Sequence, residues 1–190
     1  MCKLRQFMNT KMLSNIYYSL FYSHLIYAIQ IWGSAGITEI NKILVLQKRA
    51  LRIITHNDTF PSVPGPLCST DPLFSKLEIL KVQDVFKIQV SVFIFNCLQL
   101  NTPTNFHNWF KLNYNIHSYK TRSNFIDIDN AINSNNLFIR NARTTNYGLT
   151  LLKVLGPKLW NNIPSHIRST HSGRSFKCNL KKYLIARYGS

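Results

Sequence analysis

Negative charge is what this chain has least of. Seven Asp and Glu residues stand against 23 Lys and Arg in a chain of 190, a formal net charge of +16 at pH 7. Polymerases and two-metal nucleases need clustered carboxylates to hold divalent ions about 4 Å apart. The whole supply here is Glu39, Asp58, Asp71, Glu78, Asp84, Asp127 and Asp129. Only Asp127 and Asp129 lie close in sequence, and that pair alone offers too few ligands for two metals. It reads as the exposed edge of an extended loop.

Paired cysteines are missing too. Cys2, Cys68, Cys97 and Cys178 form no CxxC unit, which argues against a zinc ribbon or knuckle, where a turn presents two thiolates at once. Free thiols and an intracellular setting are the expectation. There is no HExxH, no GxxxxGK[ST] or GxGxxG phosphate loop and no GxSxG elbow. His24 falls on the apolar spacing of the first helix and is expected in the core. No catalytic residue, metal, cofactor or small-molecule substrate is therefore expected, and the chain reads as a non-enzyme.

Met12 to Thr38 lacks any Lys, Arg, Asp or Glu, as a signal anchor would. Yet Asn15, Ser19 and Ser23 recur every four residues, a polar stripe that lipid would penalise. A buried helix is the preferred reading, with a membrane-anchored module through residues 12–32 as an alternative.

What is present is apolar bulk and positive charge. Hydrophobic residues make up 45% of the chain, with 12 Phe, 9 Tyr and 3 Trp, so a core can form. Residues 130–190 hold ten basic and no acidic side chains. Self-repulsion of that size points to a polyanionic partner, RNA or DNA.

The apolar spacing predicts a helix from about Lys11 to Trp32, broken by Gly33-Ser34-Ala35-Gly36. A second helix is expected from about Thr38 to Thr55. Ile40, Ile43, Leu44, Leu46, Ala50, Leu51, Ile53 and Ile54 would form its apolar side, and Lys42, Lys48, Arg49, Arg52 and His56 its other side. Pro61, Pro64, Pro66 and Pro72 mark residues 57–72 as a rigid surface connection without helix. A short helix follows over Pro72 to Leu80, then a buried helix from about Val82 to Leu98. The Asn-rich run 101–136 reads as a loop, and Leu137 to Tyr147 as an extended segment. Gly156-Pro157 is expected to stop one helical turn and start another. Trp160 is read as a core anchor. A last helix spans about Ser172 to Tyr188.

The expected fold is mainly α: a helical, thumb-like bundle over 1–100, a linker over 101–136 and a basic C-terminal extension over 137–190. That extension would be irregular and loop-rich, with short helices and one short strand pair.

Phosphate contact by Lys and Arg gives affinity without sequence choice. The first candidates are Lys48, Arg49 and Arg52, on one side of the second helix. Next come Lys120 and Arg122, flanked by Tyr119 and Ser123 for stacking and hydrogen bonding. The third group is Arg174, Lys177, Lys181 and Lys182 on the last helix. For each, a merely solvated charged face is the plain alternative.

Six stretches, taken in order, resemble one family. Tyr17 to Gly33 (YYSLFYSHLIYAIQIWG), Leu46 to Thr55 (LQKRALRIIT) and Pro72 to Val90 (PLFSKLEILKVQDVFKIQV) are similar to the segments that follow the palm in non-LTR (LINE, jockey-like) retrotransposon reverse transcriptases. His117 to Ser123 (HSYKTRS), Gly156 to Arg168 (GPKLWNNIPSHIR) and Ser175 to Ile185 (SFKCNLKKYLI) continue the likeness. The resemblance implies a thumb and C-terminal extension that grip the template–primer duplex. The palm's Ala-Asp-Asp motif is absent, so no DNA synthesis is expected, and Met1 would open a truncated or decayed copy lacking its polymerase core. One departure is Ala28, where the family usually has Gly. The remaining alternative is a protein-interaction module whose apolar faces met that core.

Overall fold

The computed structural model describes residues 6–55, 70–113, 116, 136–142, 144 and 148–188. The fold is mainly α with loop-rich stretches, and no strand occurs among the described residues. The expected strand pair is represented there by a single antiparallel bridge, Leu112 to Leu137.

Contacts divide the chain into two compact units, one of residues 1–86 with 182–190 and one of residues 87–181. The first of these units joins residues far apart in sequence, and the second is one continuous stretch.

The first unit opens with α1 (Thr10–Ile16), capped by the Asn9 side chain accepting from Met12 N–H at 2.9 Å. A π-helical stretch, Tyr17–Tyr22, follows, then α2 (Ser23–Ile26) and α3 (Ile29–Trp32). The single helix expected over Lys11 to Trp32 is thus interrupted. The wider π turn shifts the buried positions to Leu13, Tyr17, Leu25 and Ile29, four or eight residues apart rather than at the 3.6 spacing. His24 consequently faces solvent, not the core.

The break between α2 and α3 sits at Ala28, in the left-handed region at φ 50°. Trp32 Nε1–H donates to the Tyr27 carbonyl at 2.7 Å, satisfying an acceptor at the break. Gly33 has no room for a side chain. An added Cβ would lie 2.3 Å from Phe86 Cδ2 and 2.5 Å from the Ile29 carbonyl oxygen.

Next comes α4 (Ile37–Thr55). Its buried side packs Ala50, Leu51 and Ile54 with Leu13, Tyr17, Phe74 and Ile79. Leu46, expected in that core, is 51% exposed, and the fully buried residue beside it is Gln47. The Gln47 amide donates to the Tyr17 hydroxyl at 2.9 Å and to the Leu80 carbonyl at 2.6 Å, and its Oε1 accepts from Val82 N–H at 3.0 Å. Val82 opens α6 (Val82–Leu98), so a side chain from another helix satisfies one of its unpaired first-turn donors.

The helix expected over Pro72 to Leu80 is shorter, α5 (Asp71–Lys76). It ends in a Schellman motif: Ile79 N–H reaches the Phe74 carbonyl at 3.0 Å, and Glu78 takes the left-handed position at φ 51°. The C-terminal residues complete this unit. Tyr188 Oη donates to Asp84 Oδ2 at 2.5 Å and accepts from Lys81 N–H at 3.1 Å. Lys81 Nζ lies 2.9 Å from Asp71 Oδ1 and 4.7 Å from the Tyr188 ring centre.

α6 has the expected limits. None of its residues is exposed, including the polar Asp84 and Ser91. It ends like α5, with Asn101 N–H on the Asn96 carbonyl and Leu100 left-handed at φ 57°.

In the second unit, α7 (Thr104–His107) is a single turn within the expected loop. α8 (Leu152–Asn161) runs through Gly156-Pro157 rather than stopping there. Both residues are buried, and a Cβ on Gly156 would come within 3.1 Å of Ile94 and 3.2 Å of Phe110. Glycine allows that approach, and tight packing holds the helix together across the proline. After Pro164, α9 (Ser165–Arg168) leads to α10 (Gly173–Ala186). Trp160 is buried as expected, its ring 5.6 Å from Phe176, which stacks on Phe95 at 4.9 Å.

Candidate nucleic-acid interface

On α4 the core-facing residues leave an opposite side to solvent. Arg49 and Arg52 are exposed there, one helical turn apart, and Lys48 is half-buried on its flank. Val45 and Leu46 share the exposed side. Lys42 also lies on it but is held by Glu39 at 2.9 Å. Arg49 and Arg52 form no ion pair among the described residues, so their guanidinium groups point to water. The expected trio is therefore two exposed arginines with a lysine stem at their edge.

On α10, Arg174, Lys177 and Lys181 follow at spacings of three and four, one stripe along the helix. Arg174 and Lys177 are exposed and Lys181 is half-buried. Lys182, grouped with them from the sequence, is exposed and belongs to the first unit. Lys120 and Arg122 lie outside the described residues.

Several cations are engaged internally. Lys81 is held by Asp71, and Lys153 Nζ sits 4.3 Å from the Trp109 ring centre. Arg168 is buried and donates from Nη1 to Asn136 Oδ1 at 2.7 Å, and burial pushes its pKa down. The net charge thus overstates the cationic surface on offer.

Among the described residues no group of three or more His, Cys, Asp or Glu is placed to hold a metal. Cys97 is buried, with its thiol pKa raised by that burial, and Cys178 is exposed. No described helix is long and apolar enough to cross a membrane.

Sequence reasoning missed a second basic locality, around Lys111 and Arg140 in the second unit, where both are exposed. The signal was weak: two isolated cations 29 residues apart become neighbours only through the Leu112–Leu137 bridge. No known protein family, curated protein or solved structure matches the chain.

Proposed function

We propose that the chain is a catalytically inert portion of a non-LTR retrotransposon reverse transcriptase, the thumb and C-terminal extension, and that it binds template–primer nucleic acid without sequence preference. The observation that carries the binding reading is the exposed Arg49–Arg52 pair on a helix whose other side is buried. That arrangement presents two exposed cations, one turn apart, to a phosphate backbone.

Support for the family comes from the work its motif positions do in the fold. Tyr17, Gln47, Leu80 and Asp84 all belong to quoted stretches, and all take part in buried or part-buried hydrogen bonds of the first unit. Ala28 stands left-handed where the family usually carries Gly, the residue that conformation favours.

A second reading is favoured by Tyr27 and Ile31, each 79% exposed, with Leu20 and Ile37 also open to solvent. Exposed apolar residues of this kind suit contact with another protein, here the polymerase core that the resemblance implies.

The test is fluorescence anisotropy of the folded chain with a labelled RNA–DNA hybrid at about 50 and 200 mM salt. Affinity should fall steeply at the higher salt, and Arg49→Glu with Arg52→Glu should weaken binding and flatten the salt slope. No binding by a folded sample overturns the reading and leaves an inherited charge without a partner. Self-association that persists at both salts, without hybrid binding, favours the protein-contact reading instead.

A further inference from the structure

The second unit contains a recess of about 360 Å³, lined by Trp109, Lys111, Ile116, Phe138 and Arg140. Its walls come from two segments joined by the Leu112–Leu137 bridge. Phe138 N–H donates to the Lys111 carbonyl at 2.9 Å, and Asn113 N–H to the Asn136 carbonyl at 3.0 Å. In such a pairing alternate side chains share a face. Phe138 and Arg140 therefore fall on one side, and Lys111, paired with Phe138, joins them.

The frame is braced from within the unit. The Asn161 side chain donates to the Leu137 carbonyl and accepts from Leu137 N–H, both at 2.9 Å. Trp109 is also fixed, with Phe106 edge-on at 4.8 Å between ring centres, Phe93 at 6.4 Å and the Lys153 ammonium at 4.3 Å. Trp109 and Phe138 are half-buried, whereas Lys111 and Arg140 are exposed. Among the described residues that line the recess there is no carboxylate.

Two aromatic rings within the recess and two cations at its rim select a ligand with a flat ring and an adjoining anion. The volume falls in the range of small-ligand sites, about 300–1,000 Å³. We propose that the recess seats one nucleotide of a single-stranded nucleic acid, its base against Trp109 and Phe138 and its phosphate on Lys111 and Arg140. Stacking of this kind tolerates any base, since each has a π face. The inference rests on the nucleic-acid reading for the class of ligand, but on different residues and a different strand state. The Arg49–Arg52 side of α4 grips a duplex backbone, and this recess takes an unpaired base.

The test is anisotropy of the full chain with a labelled single-stranded oligouridylate at about 100 mM salt, comparing Trp109→Ala, the pair Lys111→Glu/Arg140→Glu, and Arg49→Glu/Arg52→Glu. Trp109→Ala should weaken single-strand binding about tenfold or more. The Lys111/Arg140 pair should weaken it while leaving hybrid binding nearly intact. Should Trp109→Ala fail to fold, the exposed Lys111/Arg140 pair decides alone. Unchanged oligouridylate affinity in that folded variant overturns the recess, and salt-sensitive hybrid binding would then leave the duplex reading standing. Trp109-dependent single-strand binding without hybrid binding does the reverse. Uridine monophosphate competing as tightly as the oligomer overturns the assignment to a polymer strand, and absence of all binding overturns both.

Discussion

Gln47 and Tyr17, thirty residues apart, meet at 2.9 Å through amide and phenol inside the first unit. The same amide group reaches Leu80 and Val82, so one side chain ties together the π-helical stretch, α4 and the start of α6. Replacing Gln47 with Leu keeps the volume but strips partners from a phenol, a carbonyl and an N–H. The expected loss is about 3 kcal/mol of unfolding free energy, read from urea denaturation. A loss below half that size would show that water or rearrangement takes over the bonds.

Among the described residues, Ala28, Glu78 and Leu100 are left-handed while carrying side chains, and no glycine is left-handed. Each side chain costs about 1 kcal/mol in that conformation. Ala28→Gly, Glu78→Gly and Leu100→Gly should each raise stability by roughly 0.5–1 kcal/mol, offset in part by the entropy glycine adds to the unfolded chain. The opposite exchange, Gly33→Ala, meets Phe86 and a backbone oxygen and should cost about 2–3 kcal/mol. Thermal melting of the four variants checks both signs together.

Alkaline pH should unfold this protein through its tyrosines. Burial raises Tyr17 and Tyr188 well above the ordinary value of 10.0, and for Tyr188 the bond it donates to Asp84 raises it further. The bond from Gln47 opposes the rise at Tyr17 without cancelling it. The folded chain thus keeps protons that the unfolded chain releases above about pH 10. That stabilisation is whole below pH 10 and is lost as pH climbs toward the raised values. Urea midpoints should fall progressively above about pH 10, and less steeply in Tyr17→Phe. A midpoint that stays level there would contradict the burial of these phenols.

Asn161 is expected to be the most sensitive surface-proximal position of the second unit. Asn161→Ala removes both bonds to the Leu137 backbone and should cost about 1–3 kcal/mol. If the bridge braces the recess, the same variant weakens oligouridylate binding without touching hybrid binding. Loss of stability with unchanged single-strand affinity would separate the bridge from the site.

Of the long helices, α4 and α10 were legible because their apolar residues repeat at helical spacing, and α6 because its apolar run is too long for a strand. Val82–Leu98 has the limits read from its apolar run, and α4 and α10 come within two residues of theirs. The first helix was misread for a local reason. A π turn and a left-handed alanine shift the period by fractions of a turn, and neither leaves a mark in composition. Gln47 was overlooked because a glutamine beside Lys48 and Arg49 looks like part of a polar face, and only its three distant partners make it a core residue. The exposure of Arg49 and Arg52 followed directly from helical geometry. The Trp109–Arg140 recess did not, since it exists only where two separated segments pair.

Tyr188 and Asp84 are also separated in time. The first unit is closed by residues from position 182 onward, and the phenol stands 104 positions after its carboxylate partner. At ribosomal rates of 5–20 residues per second, on the order of 5–20 s pass between their synthesis. Throughout that interval the amino-terminal helices lack their last packing piece. A nascent chain paused before residue 182 would therefore leave Asp84 and Phe74 without Tyr188, making that late segment the timer on which early folding waits.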